Sequence, residues 1–446
     1  MNDSSAALPG TLALFAATVA VIFGVALTRD DEVRTPVSPE TAPASDAAGA
    51  KLDSAELLDV SVERAPTVAR RVAEIRGIRF QKVPEPQVTD TESLRELAEE
   101  EVAKPKAAET IAASDAELKL LGMLEPDESL SDVATDVTAD AAAYYDPAKE
   151  ELFLLGDAVP AGPALAEFVL AHELNHGLED QVFGLPRSSA SSDDRILAET
   201  ALVEGSATAL MTEYAAEHLA VTDLLDESSA LKSGATDLPP IALAQVTFAY
   251  TGGQRFVNEL RASANGGWDL IDFAYQRRLP ATTEQILHPE KYLDDEGALP
   301  VPAVPDPGPG WKEADDGTVG EFFTREILRQ DAEEIGADAA AAGWGGDSYR
   351  LFTRTGTVAE CSSDCRGDNA MAIVWRGDDV GEAIELREGI EGFVERSLEG
   401  AEASEGSWEL DGGWAAVGGE GDVVTLALAP DEATVDRLAR PARRAQ

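Results

Sequence analysis

The stretch ALAEFVLAHELNHGLEDQVF, Ala164 to Phe183, decides how this chain is read. Within it, Ala171-His-Glu-Leu-Asn-His176 sets two imidazoles four residues apart, with a glutamate beside the first. Positions i and i+4 share one face of an α-helix, so His172 and His176 can grip a single metal ion. Neutral imidazoles suit zinc, and a catalytic zinc keeps three protein ligands with a fourth position open to water. Glu173 is then placed to take a proton from that water and return it to a leaving amine. Leu165, Phe168, Val169 and Leu178 are spaced as one buried stripe of the same helix. Pro163 stands near the helix start, where its missing N–H costs little.

A third ligand has to come from elsewhere. The residues after His176, Gly-Leu-Glu-Asp-Gln-Val-Phe, hold no third histidine at the metzincin spacing. Downstream, Ile196 to Ala220 reads as a second helix carrying Glu199, Glu204, Glu213 and Glu217. Glu199 and Glu204 are five positions apart, about 140° around a helix, so only one of them can face the metal. The other, like Glu213 and Glu217, belongs to a solvated helix face.

These residues resemble the gluzincins, zinc peptidases with HExxH followed by a downstream glutamate. The order YDP, LAHELNHGLEDQ, ALVEGSAT, FAYTGGQRFV, TTEQILHPEKY and GWGGDSYRLF further resembles a family of uncharacterised bacterial and archaeal predicted metallopeptidases, from about Arg71 to Phe352. In that family the glutamate of the EG-x-A block is the third ligand, which here implies Glu204 over Glu199. Hydrolysis also needs a donor for the oxyanion, and Tyr250 and His288 are the candidates that fall inside the shared blocks. One departure is Gly177, where the family carries a longer aliphatic or aromatic residue. A glycine there costs the helix about 1 kcal/mol against alanine.

Ahead of the metal helix, Tyr144-Tyr145-Asp146-Pro147 makes a turn into Glu151–Leu155, a short strand. In gluzincin-like folds a strand in this place lines the cleft and pairs with an extended peptide substrate. The fold class expected is therefore α+β: a mainly helical gluzincin-like catalytic domain with a short edge strand before the metal helix, plus a small α+β carboxy-terminal domain.

Composition bounds the rest. The chain has 446 residues, with 84 Asp+Glu against 35 Lys+Arg and a net charge of −49, yet 44% of it is hydrophobic. That is the balance of a globular protein with a carboxylate-covered surface, as in proteins that work in high salt where self-repulsion is screened, and not of a disordered chain. Nothing offers a basic groove for nucleic acid.

Leu8 to Leu27, LPGTLALFAATVAVIFGVAL, is free of charge and long enough to cross a bilayer. It reads as an uncleaved single membrane span behind a short tail at 1–7, because MNDSSAA lacks the positive charge of a secretory signal. Residues 28–61 are rich in Ala, Pro, Ser, Thr and Asp and read as a flexible stalk. The catalytic domain is expected over 62–342 and the carboxy-terminal domain over 343–440, with strand-like runs YRLFTR, AMAIVWR and VVTLALA around one amphipathic helix. Prolines 300, 302, 305, 307 and 309 mark a loop between Tyr292 and Gly320. Cys361 and Cys365 are read as a local disulfide, since a structural zinc would need two more ligands.

Together these readings describe a membrane-anchored zinc endopeptidase whose catalytic domain faces outward. His172, His176 and Glu204 hold one Zn2+, Glu173 activates water, and Tyr250 or His288 assists the oxyanion. The substrate is a peptide or protein. A non-peptidase zinc hydrolase, or a surface protein that holds metal without turnover, is the alternative.

Overall fold

The computed structural model describes residues 53–139, 142–186, 192–228, 238–330, 334–354 and 365–439. Its first helix, α1 (Ser54–Arg76), starts on a capping box in which Asp53 accepts the Glu56 N–H and Glu56 accepts the Asp53 N–H, each at 3.0 Å. It therefore begins inside the segment read as a stalk up to residue 61. Gly77, at φ 75°, ends it in the left-handed region. Ala65, Val68, Ala69 and Val72 form its buried stripe.

Next come β1 (Pro86–Thr89), α2 (Thr91–Val102), α3 (Pro105–Leu120), α4 (Leu130–Ala139), β2 (Ala143–Asp146) and β3 (Glu151–Leu155). The three strands make one sheet in the order β1-β3-β2, with β1 parallel and β2 antiparallel to β3. Glu151–Leu155 is thus the central strand, covered on both sides. The outer strand next to the metal helix is β2.

Two long helices follow, α5 (Pro163–Phe183) and α6 (Asp193–His218). The apolar stripe read from Leu165, Phe168, Val169 and Leu178 is only part of what α5 hides, because every residue from Ala164 to Glu179 is buried. A helix enclosed on all sides has to bury its polar residues as well, and that is where the chemistry lies. Around this pair pack α7 (Val221–Ser228), α8 (Pro240–Thr247), a π-helical turn (Phe248–Gly252), α9 (Gly253–Ser263), α10 (Asp269–Arg277), α11 (Thr283–Leu287) and α12 (Pro289–Leu293).

The remainder is built on a seven-stranded antiparallel sheet. Its elements are β4 (Lys312–Gly317), α13 (Gly320–Arg329), α14 (Glu334–Ala342), β5 (Trp344–Thr353), β6 (Asn369–Gly377), α15 (Val380–Arg396), β7 (Ala401–Ser404), β8 (Ser407–Leu410), β9 (Gly413–Gly418), β10 (Val423–Ala429) and α16 (Glu432–Leu438). The strand order is β4-β5-β6-β10-β9-β8-β7. Both faces are covered. Met371, Ile373 and Trp375 share a core with Leu386, Ile390 and Phe393 of α15, while Ala370, Ala372 and Val374 pack with Val435 and Leu438 of α16. The sheet begins at β4, ahead of the boundary read at residue 343, because Lys312–Gly317 pairs with β5. The first of these two cores runs unbroken into the helical region. The protein is α+β, as expected.

The span read at Leu8–Leu27 lies outside the described residues. Among those described, no helix is long and apolar enough to cross a membrane. Even the long α6 carries Asp193, Asp194, Arg195, Glu199, Glu204 and Glu213. The single-pass membrane location is corrected to that extent: the described residues supply no membrane span.

Candidate metal centre

α5 presents His172 and His176 on one face, and α6 brings Glu204 across to them. The two Nε2 atoms are 2.9 Å apart, and Glu204 Oε2 lies 3.1 Å from His172 Nε2 and 3.6 Å from His176 Nε2. A tetrahedral ion with ligand bonds of 2.0–2.1 Å separates its ligands by about 3.3 Å. The three measured distances straddle that value, so the atoms stand where an ion between them would hold them. Glu204 Oε1 is buried with no hydrogen-bond partner among the described residues, a further sign that this carboxylate is made for a cation. His172, His176 and Glu204 form a group that could hold a metal ion.

The electrostatics agree. Burial and the neighbouring His176 press His172 down to about 4. For His176 burial opposes a charge, yet Glu204, Glu173 and Glu179 outweigh it and push the imidazole up to about 9. Glu204 is likewise drawn down to about 2 against its own burial, by His176 first and then His172. A positive charge is what this buried set of atoms calls for.

Glu173 sits beside the histidines, 1% exposed. Its Oε2 accepts the backbone N–H of Tyr145 at 2.9 Å, from the edge strand β2. Gly177 makes this possible. A Cβ there would stand 3.1 Å from Tyr145 Cε2 and 3.3 Å from Pro84 Cγ, so the bare helix surface is the seat of the Tyr145 ring. The Tyr145 hydroxyl then donates to Asp180 at 3.0 Å. Far from breaking the helix, Gly177 lies well inside one that runs on to Phe183.

Glu199 is engaged by Arg195 on its own helix at 2.7 Å and takes no part in the trio. Glu213 pairs with Arg261 of α9, and Glu217 lies outside at the helix end. Tyr250 is brought to the site: its ring stacks on His172 with centroids 5.8 Å apart and planes 21° apart. It stands in the π-helical turn, a rare conformation that recurs at functional sites. What holds the turn there is backbone contact between helices. A Cβ on Gly205 would meet the Gly253 carbonyl carbon at 2.1 Å, and one on Gly253 would meet the Ala201 oxygen at 2.0 Å.

His288 is placed otherwise, at the junction of α11 and α12. Its Nε2 lies 2.9 Å from Glu321 Oε1 of α13, and that bond raises its pKa. A second acidic group, Glu284, Glu296 and Asp378, surrounds the Lys291 ammonium at 2.5, 3.0 and 2.8 Å, so a lysine already supplies its cation. Cys365 is disulfide-bonded. Cys361, the only other cysteine, lies outside the described residues.

Two glutamates that the motif reading passed over are buried close by. Glu167 and Glu179, on α5 before and after the histidines, are held by arginines of α1. The available signal was an acid on a helix too apolar to have a solvated face.

Residues 309–439 match a protein family described as a domain of unknown function (DUF8575). No curated protein and no solved structure matches the chain. The matched segment is the sheet region, and the metal centre lies outside it.

Proposed function

We propose that this protein is a zinc-dependent hydrolase of peptide bonds, with His172, His176 and Glu204 as the zinc ligands. The observation that carries the reading is the convergence of these three ligand atoms with Glu173 on the adjoining turn. Zinc fits a set of two neutral imidazoles and one carboxylate, and when bound it supplies the Lewis acidity that activates water and polarises a carbonyl. Glu173 takes the proton that the attacking water loses and delivers it to the leaving nitrogen. Its bond from the Tyr145 N–H aims the carboxylate. Tyr250, packed on His172, is the candidate donor toward the developing oxyanion. A peptide is the substrate class implied by the resemblance of HELNH and its downstream glutamate to the gluzincin pattern.

A second reading, metal held without turnover, draws support from burial. His172, Glu173, His176, Glu204 and Tyr250 are each no more than 1% exposed. One experiment separates the two: zinc content of the purified protein, with cleavage of a mixed peptide library before and after chelation. One zinc per chain and cleavage that returns with added zinc support the hydrolase. Bound zinc with no cleavage favours the second reading, and a protein that takes up no zinc overturns both.

A further inference from the structure

We infer that Glu179 is a positioning residue of the metal centre, holding the histidine helix and the glutamate helix in register through Ser206. The inference rests on the metal reading above.

Glu179 follows His176 by one turn, on the same side of α5. It is fully buried and takes a donor from each of three other helices. Arg76 Nε of α1 and Ser206 Oγ of α6 both reach Oε1 at 2.7 Å, and the Tyr275 hydroxyl of α10 reaches Oε2 at 2.8 Å. Arg76 is itself immobilised. Its other arm lies 2.7 Å from Asp272 Oδ1, and its guanidinium lies 4.5 Å from the Trp268 ring centroid and 5.6 Å from that of Phe183. Donors arriving from three directions leave this carboxylate one position. Ser206 stands two residues beyond Glu204, so the bond ties α6 to α5 next to the ligands themselves.

A buried ion pair contributes little net stability, and its best-attested use is to specify register. Metal ligands need that service, because groups that orient them typically govern about 10–100-fold in affinity. The molecule contains its own control. Glu167, earlier on α5, takes Arg64 and Arg71 from α1 at 2.7 and 2.8 Å and the Tyr214 hydroxyl from α6 at 2.5 Å. The chemistry is the same, but Tyr214 lies about 15 Å along α6 from Glu204 at 1.5 Å per residue.

Glu179→Gln would leave Arg76 poorly paired in the interior and could prevent folding, so the deciding variant is Ser206→Ala. It removes only the Ser206–Glu179 bond. Zn2+ affinity is measured by competition with a chelating dye, and the ligand geometry by the visible spectrum of the Co2+-loaded protein, beside Tyr214→Phe. The expected result is about 10–100-fold weaker Zn2+ binding and an altered Co2+ spectrum for Ser206→Ala, with both unchanged for Tyr214→Phe. Equal weakening in the two variants overturns the inference, as does a Ser206→Ala protein that binds Zn2+ like the wild type with the same Co2+ spectrum. Absence of metal binding in the wild type overturns the underlying reading instead.

Discussion

The helical region from Ser54 to Leu293 and the sheet region from Lys312 to Leu438 bury different kinds of side chain. In α5 and α6 the interior holds Glu167, His172, Glu173, His176, Glu179, Glu199 and Glu204. In the strands of the large sheet the buried polar groups are Asp347, Thr353, Asn369, Ser407 and Thr425, and the one acid accepts bonds from the N–H groups of Val319 and Gly320 and from Trp344 Nε1. Burying ionisable groups is costly, so a region that collects them is shaped by something besides stability. The sheet region carries the family match. The difference teaches where to look for chemistry and where to look for folding energy.

The widest gap between the regions should appear with Glu173→Gln. Removing a positioned general base lowers hydrolysis by about 10²–10⁴-fold, and zinc content and melting temperature should stay as in the wild type. Full activity in that variant would break the comparison at its centre. Glu204→Ala should strip the metal, whereas Glu199→Ala only frees Arg195 and should keep it; metal analysis of the two proteins decides between them. In the sheet, Ile373→Ala removes a side chain that is 1% exposed and should cost about 2–5 kcal/mol in denaturant unfolding. Metal affinity should not change, and if it does the regions are not separable.

A smaller effect is expected at the helix contact. Gly205→Ala puts a methyl against the Gly253 backbone, an overpacking of about 1–3 kcal/mol that also moves Tyr250 off His172. Calorimetry would show the first and tyrosine fluorescence of the zinc-loaded protein the second. A pH effect goes with these. Burial pushes the Asp194 carboxyl up to about 8, against about 3.9 in an unfolded chain. The folded protein keeps a proton that the unfolded chain releases, so this group's stabilisation is full below about pH 4 and declines as pH rises toward 8. Asp194→Asn should flatten that slope in unfolding free energies measured across the range.

Much of this architecture can be read from local pattern. Pro163 does start α5, the runs YRLFTR, AMAIVWR and VVTLALA do become strands, and AIELREGIEGFVERSLEG does hold a helix. Other features escape because their cause is distant in sequence. The strand Glu151–Leu155 is central, and only its pairing with Pro86–Thr89 shows it. β4 hides behind five prolines because its pairing with β5 is what makes it a strand. Asp53 and Glu56 do carry a local capping signal, masked by the low-complexity composition around them. Arg76 and Glu179 each look like surface charges until the fold closes them on one another.

The site divides along the same line. The i, i+4 spacing of His172 and His176 and the place of Glu173 follow from helix geometry, so the sequence by itself determined that two imidazoles share one helix face with a carboxylate beside the first. The resemblance already favoured Glu204 over Glu199; the tertiary structure sets Glu204 beside the two histidines and Tyr250 on His172, with Glu199 against Arg195 and His288 against Glu321. Rotation of α6 about its axis depends on which residues let another backbone approach, and at Gly205 and Gly253 two helices touch without side chains between them. That contact sets α6 against the start of α9, just after the turn that carries Tyr250, and no period in either helix encodes it.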